Sequence, residues 1–146
     1  MNDSNLFVTL FNGDFYKVKN YKINPLLDEN GKRINGYVIG FEPKKKELLI
    51  KKVTPNSKFP ATKIKVSFNG DVSPLNISNP DISKLYFDNE LIWASAKKEL
   101  LKIRQSNNGY TVAHTFKKIP IKTIASANEI TWIGNLTGLW LSLIHI

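Results

Sequence analysis

Apolar residues recur along this chain in short runs, and several runs alternate with polar positions. Lys63-Ile64-Lys65-Val66-Ser67-Phe68 alternates strictly, the period-2 pattern of a strand with one wet face. Asn, Asp, Gly and Pro punctuate the runs at turn spacing, so tight hairpins are predicted along the whole chain. Leu6–Phe11 and Asp14–Lys19 flank Asn12-Gly13, the pair that favours a two-residue type I′ turn. That turn would set Leu10 opposite Phe15 and Thr9 opposite Tyr16. Gly36–Phe41 and Glu47–Val53 flank a Pro43–Lys46 turn, and residues 54–62 form a loop holding Pro55 and Pro60.

Ile82–Phe87 and Glu90–Trp93 flank Asp88-Asn89. A two-residue turn there pairs Phe87 with Glu90, Tyr86 with Leu91, Leu85 with Ile92 and Lys84 with Trp93. Partners share a face, so Leu85, Phe87 and Ile92 lie on one side and Tyr86, Leu91 and Trp93 on the other. Leu100–Gln105 and Tyr110–Phe116 flank Asn108-Gly109; pairing places Leu101, Ile103, Val112, His114 and Phe116 together, away from Lys102, Arg104, Thr115 and Lys117. Residues 96–105 have good helix composition too, with Ser95 as a cap, but the Asn-Gly turn requires a strand partner for 110–116. Residues 119–124 and 129–133 are further strands. The tetrapeptide Phe11-Asn12-Gly13-Asp14 recurs as Phe68-Asn69-Gly70-Asp71 and is read as two independent turns.

These patterns predict an all-β fold, an antiparallel β-sandwich built from hairpins, with a second, incomplete hairpin-rich segment. The expected division is a β-sandwich module over 1–95 and a truncated β segment over 96–140. The final six residues, Leu141-Ser142-Leu143-Ile144-His145-Ile146, match the translation of a transposon mosaic end used in preparing sequencing libraries. They are expected to be non-native, with the natural protein continuing beyond Trp140.

Composition narrows the function. At 146 residues and 42% hydrophobic content the chain can bury a core. No apolar run is long enough to span a bilayer, and Met1–Ser4 lacks the features of a signal peptide. Cysteine is absent, which removes disulfides, thiolate metal sites and Cys nucleophiles. The net charge is +9, yet 19 of the 21 basic residues are lysine, and Asn and Ile each occur 16 times. All three have AT-rich codons, so a low-GC genome supplies many of the lysines without selection for phosphate. Arginine, the better fork for phosphate and base edges, occurs twice.

Catalytic chemistry has little to stand on. With His145 set aside, His114 is the one histidine and reads as a core or boundary residue. Asp28-Glu29-Asn30-Gly31 resembles a calcium loop only faintly: its glycine comes too early and no far-end Glu follows. No P-loop, nucleophile elbow, zinc spacing or dinucleotide fingerprint is present. A glycan hydrolase built on two distant carboxylates is the enzymatic reading left open. The expectation is a non-enzyme without cofactor or metal. Candidate ligand or interface residues are Tyr86, Trp93 and Trp132, rings suited to stack on sugars or anchor partners. The alternative is a single-stranded nucleic-acid-binding, OB-like barrel using Lys44, Lys45, Lys46, Lys51 and Lys52 with nearby Phe41, Phe59 and Phe68.

The segment Ile82-Ser83-Lys84-Leu85-Tyr86-Phe87-Asp88-Asn89-Glu90-Leu91-Ile92-Trp93 resembles a hairpin of tail and other virion proteins of phages that infect low-GC Gram-positive bacteria. The resemblance covers about a dozen residues and carries no site residues. It implies a structural or adhesion module of a phage or prophage tail, made in the bacterial cytoplasm. Such a module would form homo-oligomers, dock on other virion subunits and contact host cell-wall glycans.

Overall fold

The computed structural model describes residues 6–53, 61–88, 91–116, 121–127, 130–135 and 138–142. The loop around Pro55 and Pro60, Phe59, the Asn89-Glu90 turn, Lys117-Lys118 and residues 143–146 lie outside them. Every element among the described residues is a strand: β1 (Leu6–Thr9), β2 (Phe15–Lys19), β3 (Lys22–Pro25), β4 (Gly36–Glu42), β5 (Glu47–Lys52), β6 (Lys63–Ser67), β7 (Val72–Pro74), β8 (Ile82–Asp88), β9 (Leu91–Ala96), β10 (Glu99–Ser106), β11 (Gly109–Phe116), β12 (Thr123–Ala127), β13 (Ile130–Asn135) and β14 (Gly138–Ser142). The fold is all-β, with several antiparallel sheets in sandwich-like layers, as the alternation implies. Residues 99–106 are strand, not the rival helix. Among the described residues no helix is long and apolar enough to cross a membrane.

Four meanders follow one another in chain order: β1-β2-β3, β4-β5-β6-β7, β8-β9-β10-β11 and β12-β13-β14. The chain divides into two compact units, Met1–Leu75 and Asn76–Ile146, each holding one three-stranded and one four-stranded sheet. Position 95/96, where a module boundary was expected, lies inside β9, which pairs with both β8 and β10.

In the first unit the two sheets close on Phe15, Leu26, Ile34, Ile50, Ile64 and Val66, with Phe7, Leu48 and Val72 packed against them. Phe68 joins the layers as a ring partner of both Phe7 (centroids 5.8 Å apart) and Phe41 (5.7 Å, stacked). In the second unit Trp93, Leu100 and Ile133 form the core between sheets, with Tyr86, Leu91, Phe116, Ile121 and Ile124 around them.

Turn chemistry corrects the predicted registers. The Leu10–Asp14 loop has three residues, not two: Gly13 N–H donates to Leu10 C=O, Leu10 N–H to Asp14 C=O, and Gly13 alone takes positive φ (+89°). Asn12 Oδ1 accepts from Asp14 N–H at 3.1 Å, which favours the longer loop. The partners are therefore Thr9–Phe15 and Val8–Tyr16. Such a slip moves side chains to the other face, which is why Leu10 is exposed. The second Phe-Asn-Gly-Asp adopts the same loop, with Gly70 N–H on Ser67 C=O, Ser67 N–H on Asp71 C=O and Gly70 at φ +100°. The two-residue turn with two positive φ angles occurs instead at Asn20 (+50°) and Tyr21 (+60°).

The β8–β9 hairpin turns one residue later than predicted, giving Tyr86–Trp93, Leu85–Ala94 and Phe87–Ile92 as partners. The shift is even in register, so the two predicted faces survive. In β10–β11 Ser106 faces Gly109, and a bulge beside Lys102 sets His114 opposite Lys102 and Phe116 opposite Leu100. His114 is exposed rather than on the Ile103 face, its ring edge against Phe116 at 4.4 Å.

Candidate functional site

The three aromatic candidates have three different fates. Trp93 is 0% exposed, the largest fully buried side chain, at the centre of the second unit's core. It cannot stack on a sugar, and its role is packing; among the described residues its indole N–H has no hydrogen-bond partner. Tyr86, its cross-strand partner, is half-buried and donates its hydroxyl to Lys122 C=O at 3.2 Å. Burial pushes the Tyr86 phenol above its ordinary pKa, opposed by a hydrogen bond with Ser95. Trp132 on β13 is 38% exposed and is the candidate open to a partner.

The lysines do not converge. Lys44, Lys45 and Lys46 sit in the β4–β5 turn, while Lys51 and Lys52 end β5. Five residues of strand hold these groups roughly 16 Å apart. Lys45 lies 3.6 Å from the buried Glu42, and Lys52 pairs with Asp28 at 3.5 Å. Lys51 is flanked across the sheet by Tyr37 and the buried Lys63. Phe41 and Phe68 stack on each other rather than standing apart as base platforms.

Asp28 closes its own loop. Its Oδ1 accepts the N–H groups of Asn30 and Lys32, each at 3.0 Å, and Gly31 N–H bonds its carbonyl. The Lys32 hydrogen bond, then those from Asn30 and Lys52, hold the carboxyl below the ordinary aspartate range. The carboxylate is thus occupied as a turn former. Among the described residues no group of three or more His, Asp or Glu could hold a metal ion.

A surface that sequence reading missed lies on the three-stranded sheet of the first unit. Register aligns Leu6, Val18 and Ile23 in one row and Val8, Tyr16 and Pro25 in the next. Cross-strand partners share a face, so these six form one side of β1–β3, with Phe7 and Phe15 on the core side. Leu6 is 59% and Ile23 68% exposed. A free sheet face normally alternates to polar residues, and this one does not. The signal was present as the two-sided apolar pattern of residues 6–11 and 14–19, but the predicted register assigned it to the wrong partners.

In comparisons with known proteins, no family model and no curated protein matches this chain.

Proposed function

We propose that this chain is a non-enzymatic assembly module that binds protein subunits, other copies of itself included, through the apolar outer face of β1–β3. The observation that carries the reading is the row Leu6–Val18–Ile23, aliphatic across all three strands and open at both ends. Contiguous exposed apolar surface of this kind marks association sites. A subunit suits it better than a glycan or a nucleic acid: the face offers aliphatic side chains and one tyrosine, without the convergent carboxylates, amides or cations those ligands require. A phage or prophage tail is the setting favoured by the resemblance of residues 82–93 and by the lysine, asparagine and isoleucine bias. Glycan stacking on Trp93 is not carried forward, because that ring is enclosed.

Sedimentation velocity over a range of concentrations tests the reading. The chain is expected to self-associate, and Ile23→Lys, at a position exposed enough to tolerate charge, is expected to weaken association about ten-fold or more, the equivalent of about 1.4 kcal/mol. A monodisperse monomer at every concentration would overturn it, as would binding of single-stranded DNA that falls steeply with salt.

A further inference from the structure

Residues 82–103 and 121–142 share a register. Adding 39 to each partner in β8–β10 from Lys84 onward gives the partners in β12–β14, without a gap. Lys84–Ser95 becomes Thr123–Gly134, Leu85–Ala94 becomes Ile124–Ile133, and Tyr86–Trp93 becomes Ala125–Trp132. Across the next pair of strands, Ala96–Glu99 becomes Asn135–Gly138 and Trp93–Lys102 becomes Trp132–Leu141. The same offset relates Ile82 to Ile121, Asn89 to Asn128, Glu90 to Glu129, Trp93 to Trp132 and Leu100 to Leu139 as identical residues.

The two sheets stack the same way up. On the β8–β11 sheet Tyr86, Trp93, Leu100 and Phe116 share one face, while Leu85, Ala94 and Leu101 share the other. The Trp93 face packs against Ile124 and Ile133 of the next sheet. By register those are the equivalents of Leu85 and Ala94, so unlike faces meet. The β8–β11 sheet is also buried on both sides: Leu85, Ile92, Leu101 and Ile103 are all enclosed, as Trp93 and Leu100 are. Contacts between unlike faces repeat indefinitely or close into a ring, and short of closure they leave one face of the last member unused. Here the unused face is that of Trp132, 38% exposed where its equivalent Trp93 is 0%.

We infer that β8–β11 and β12–β14 are successive copies of one blade-type repeat, and that the Trp132 face seats a further copy carried by the same polypeptide. Four-stranded meanders stacked in this sense, at about 40 residues per repeat, are the architecture of propeller-type arrays. The occupant is placed in the same chain by a second feature. The three-stranded copy lacks a counterpart of β11 (Gly109–Phe116), and among the described residues the outer edge of β14 has no partner strand. One continuing segment would pair that edge and then cover Trp132, in the order in which β11 and then β12–β14 serve the preceding copy.

The test builds that segment from the chain itself. Residues 102–140 are fused directly after Trp140 in place of 141–146, in an Ile23→Lys background that silences the β1–β3 face. The emission of Trp132 is isolated by difference against Trp132→Phe. In the unextended chain acrylamide should quench Trp132 readily; in the extended chain that quenching should be lost, and the β14 amides should gain protection from hydrogen exchange. Proline at the second copy of Thr111 should abolish the β14 protection. Unchanged quenching and exchange in the extended chain overturn the inference. So does protection of Trp132 that rises with concentration in the unextended chain, which would place a second molecule on that face. Neither outcome bears on the β1–β3 proposal, which is read by sedimentation of the Ile23 parent.

Discussion

The two compact units differ in which of their aromatic residues they leave open. In Asn76–Ile146 one of the three rings expected to bind, Trp93, is enclosed at 0% exposure. In Met1–Leu75, Phe11 and Tyr21 are fully exposed at turn tips, and Leu6 and Ile23 stand out on a sheet face. Both units are built from the same kinds of meander. The difference shows that ring content does not locate a site in a stacked-sheet protein. What matters is whether a given face has a neighbouring layer, and a central sheet buries both faces whereas a terminal one leaves a face open.

The strongest way to break this comparison is to truncate the two equivalent tryptophans. Trp93→Ala removes the centre of a core and is expected to cost about 3–5 kcal/mol, close to the whole stability of a small unit. Trp132→Ala should cost a small fraction of that, because its ring stands on the face of its sheet that has no neighbouring layer among the described residues. Thermal melts followed by hydrogen exchange within the second unit measure both; equal costs would refute the layer account. Trp93→Phe should fall between them, since it also removes an indole N–H that lacks a partner.

Backbone positions sharpen the same contrast. Gly109 has φ +129°, and a Cβ there would run into the Asn76 carbonyl oxygen. Gly31 has φ +72° with nothing within 4 Å of its would-be Cβ. Gly109→Ala should therefore cost about 3 kcal/mol or more, against about 1 kcal/mol for Gly31→Ala, where the left-handed backbone is the only penalty. Urea midpoints distinguish the two. Tyr21 gives the opposite sign: a tyrosine held at φ +60° in a two-residue turn is strained, and Tyr21→Gly restores the Asn-Gly pair that such turns favour. It should raise the stability of the first unit by about 1 kcal/mol.

The strand content, the hairpins and both faces of the 82–93 hairpin were legible in the sequence, because alternation and turn residues are local signals. Register was less so. Asn12-Gly13 invited a two-residue turn, while the Asn12–Asp14 hydrogen bond supports a three-residue one. Asn20-Tyr21 made the two-residue turn without the glycine that announces it. Which face of Trp93 is inner could not be read locally, since it depends on Ile124 and Ile133, at least 31 residues further along. The repeat was present in the spacing of Trp93 and Trp132, each with Asn-Glu beginning four residues before it, but five identities over three strands become persuasive only when the ladders coincide.

The smallest expected effect concerns pH. Asp28 has its carboxyl pKa lowered in the folded state, first by the Lys32 N–H, so its contribution is complete above the ordinary aspartate pKa. Acidification through the lowered folded value protonates the group and removes what it adds. The loss should appear first as lower protection of the Asn30 and Lys32 amides, which donate to Oδ1, measured against their intrinsic exchange rates at each pH, while the second unit keeps its protection. Asp28→Asn keeps an oxygen acceptor but not the charge, so it should abolish this pH response and leave the loop closed at neutral pH. Protection at Asn30 and Lys32 that still falls with acid in Asp28→Asn would assign the response to another group. The difference between the units would then lie in their exposed faces alone, with no electrostatic component.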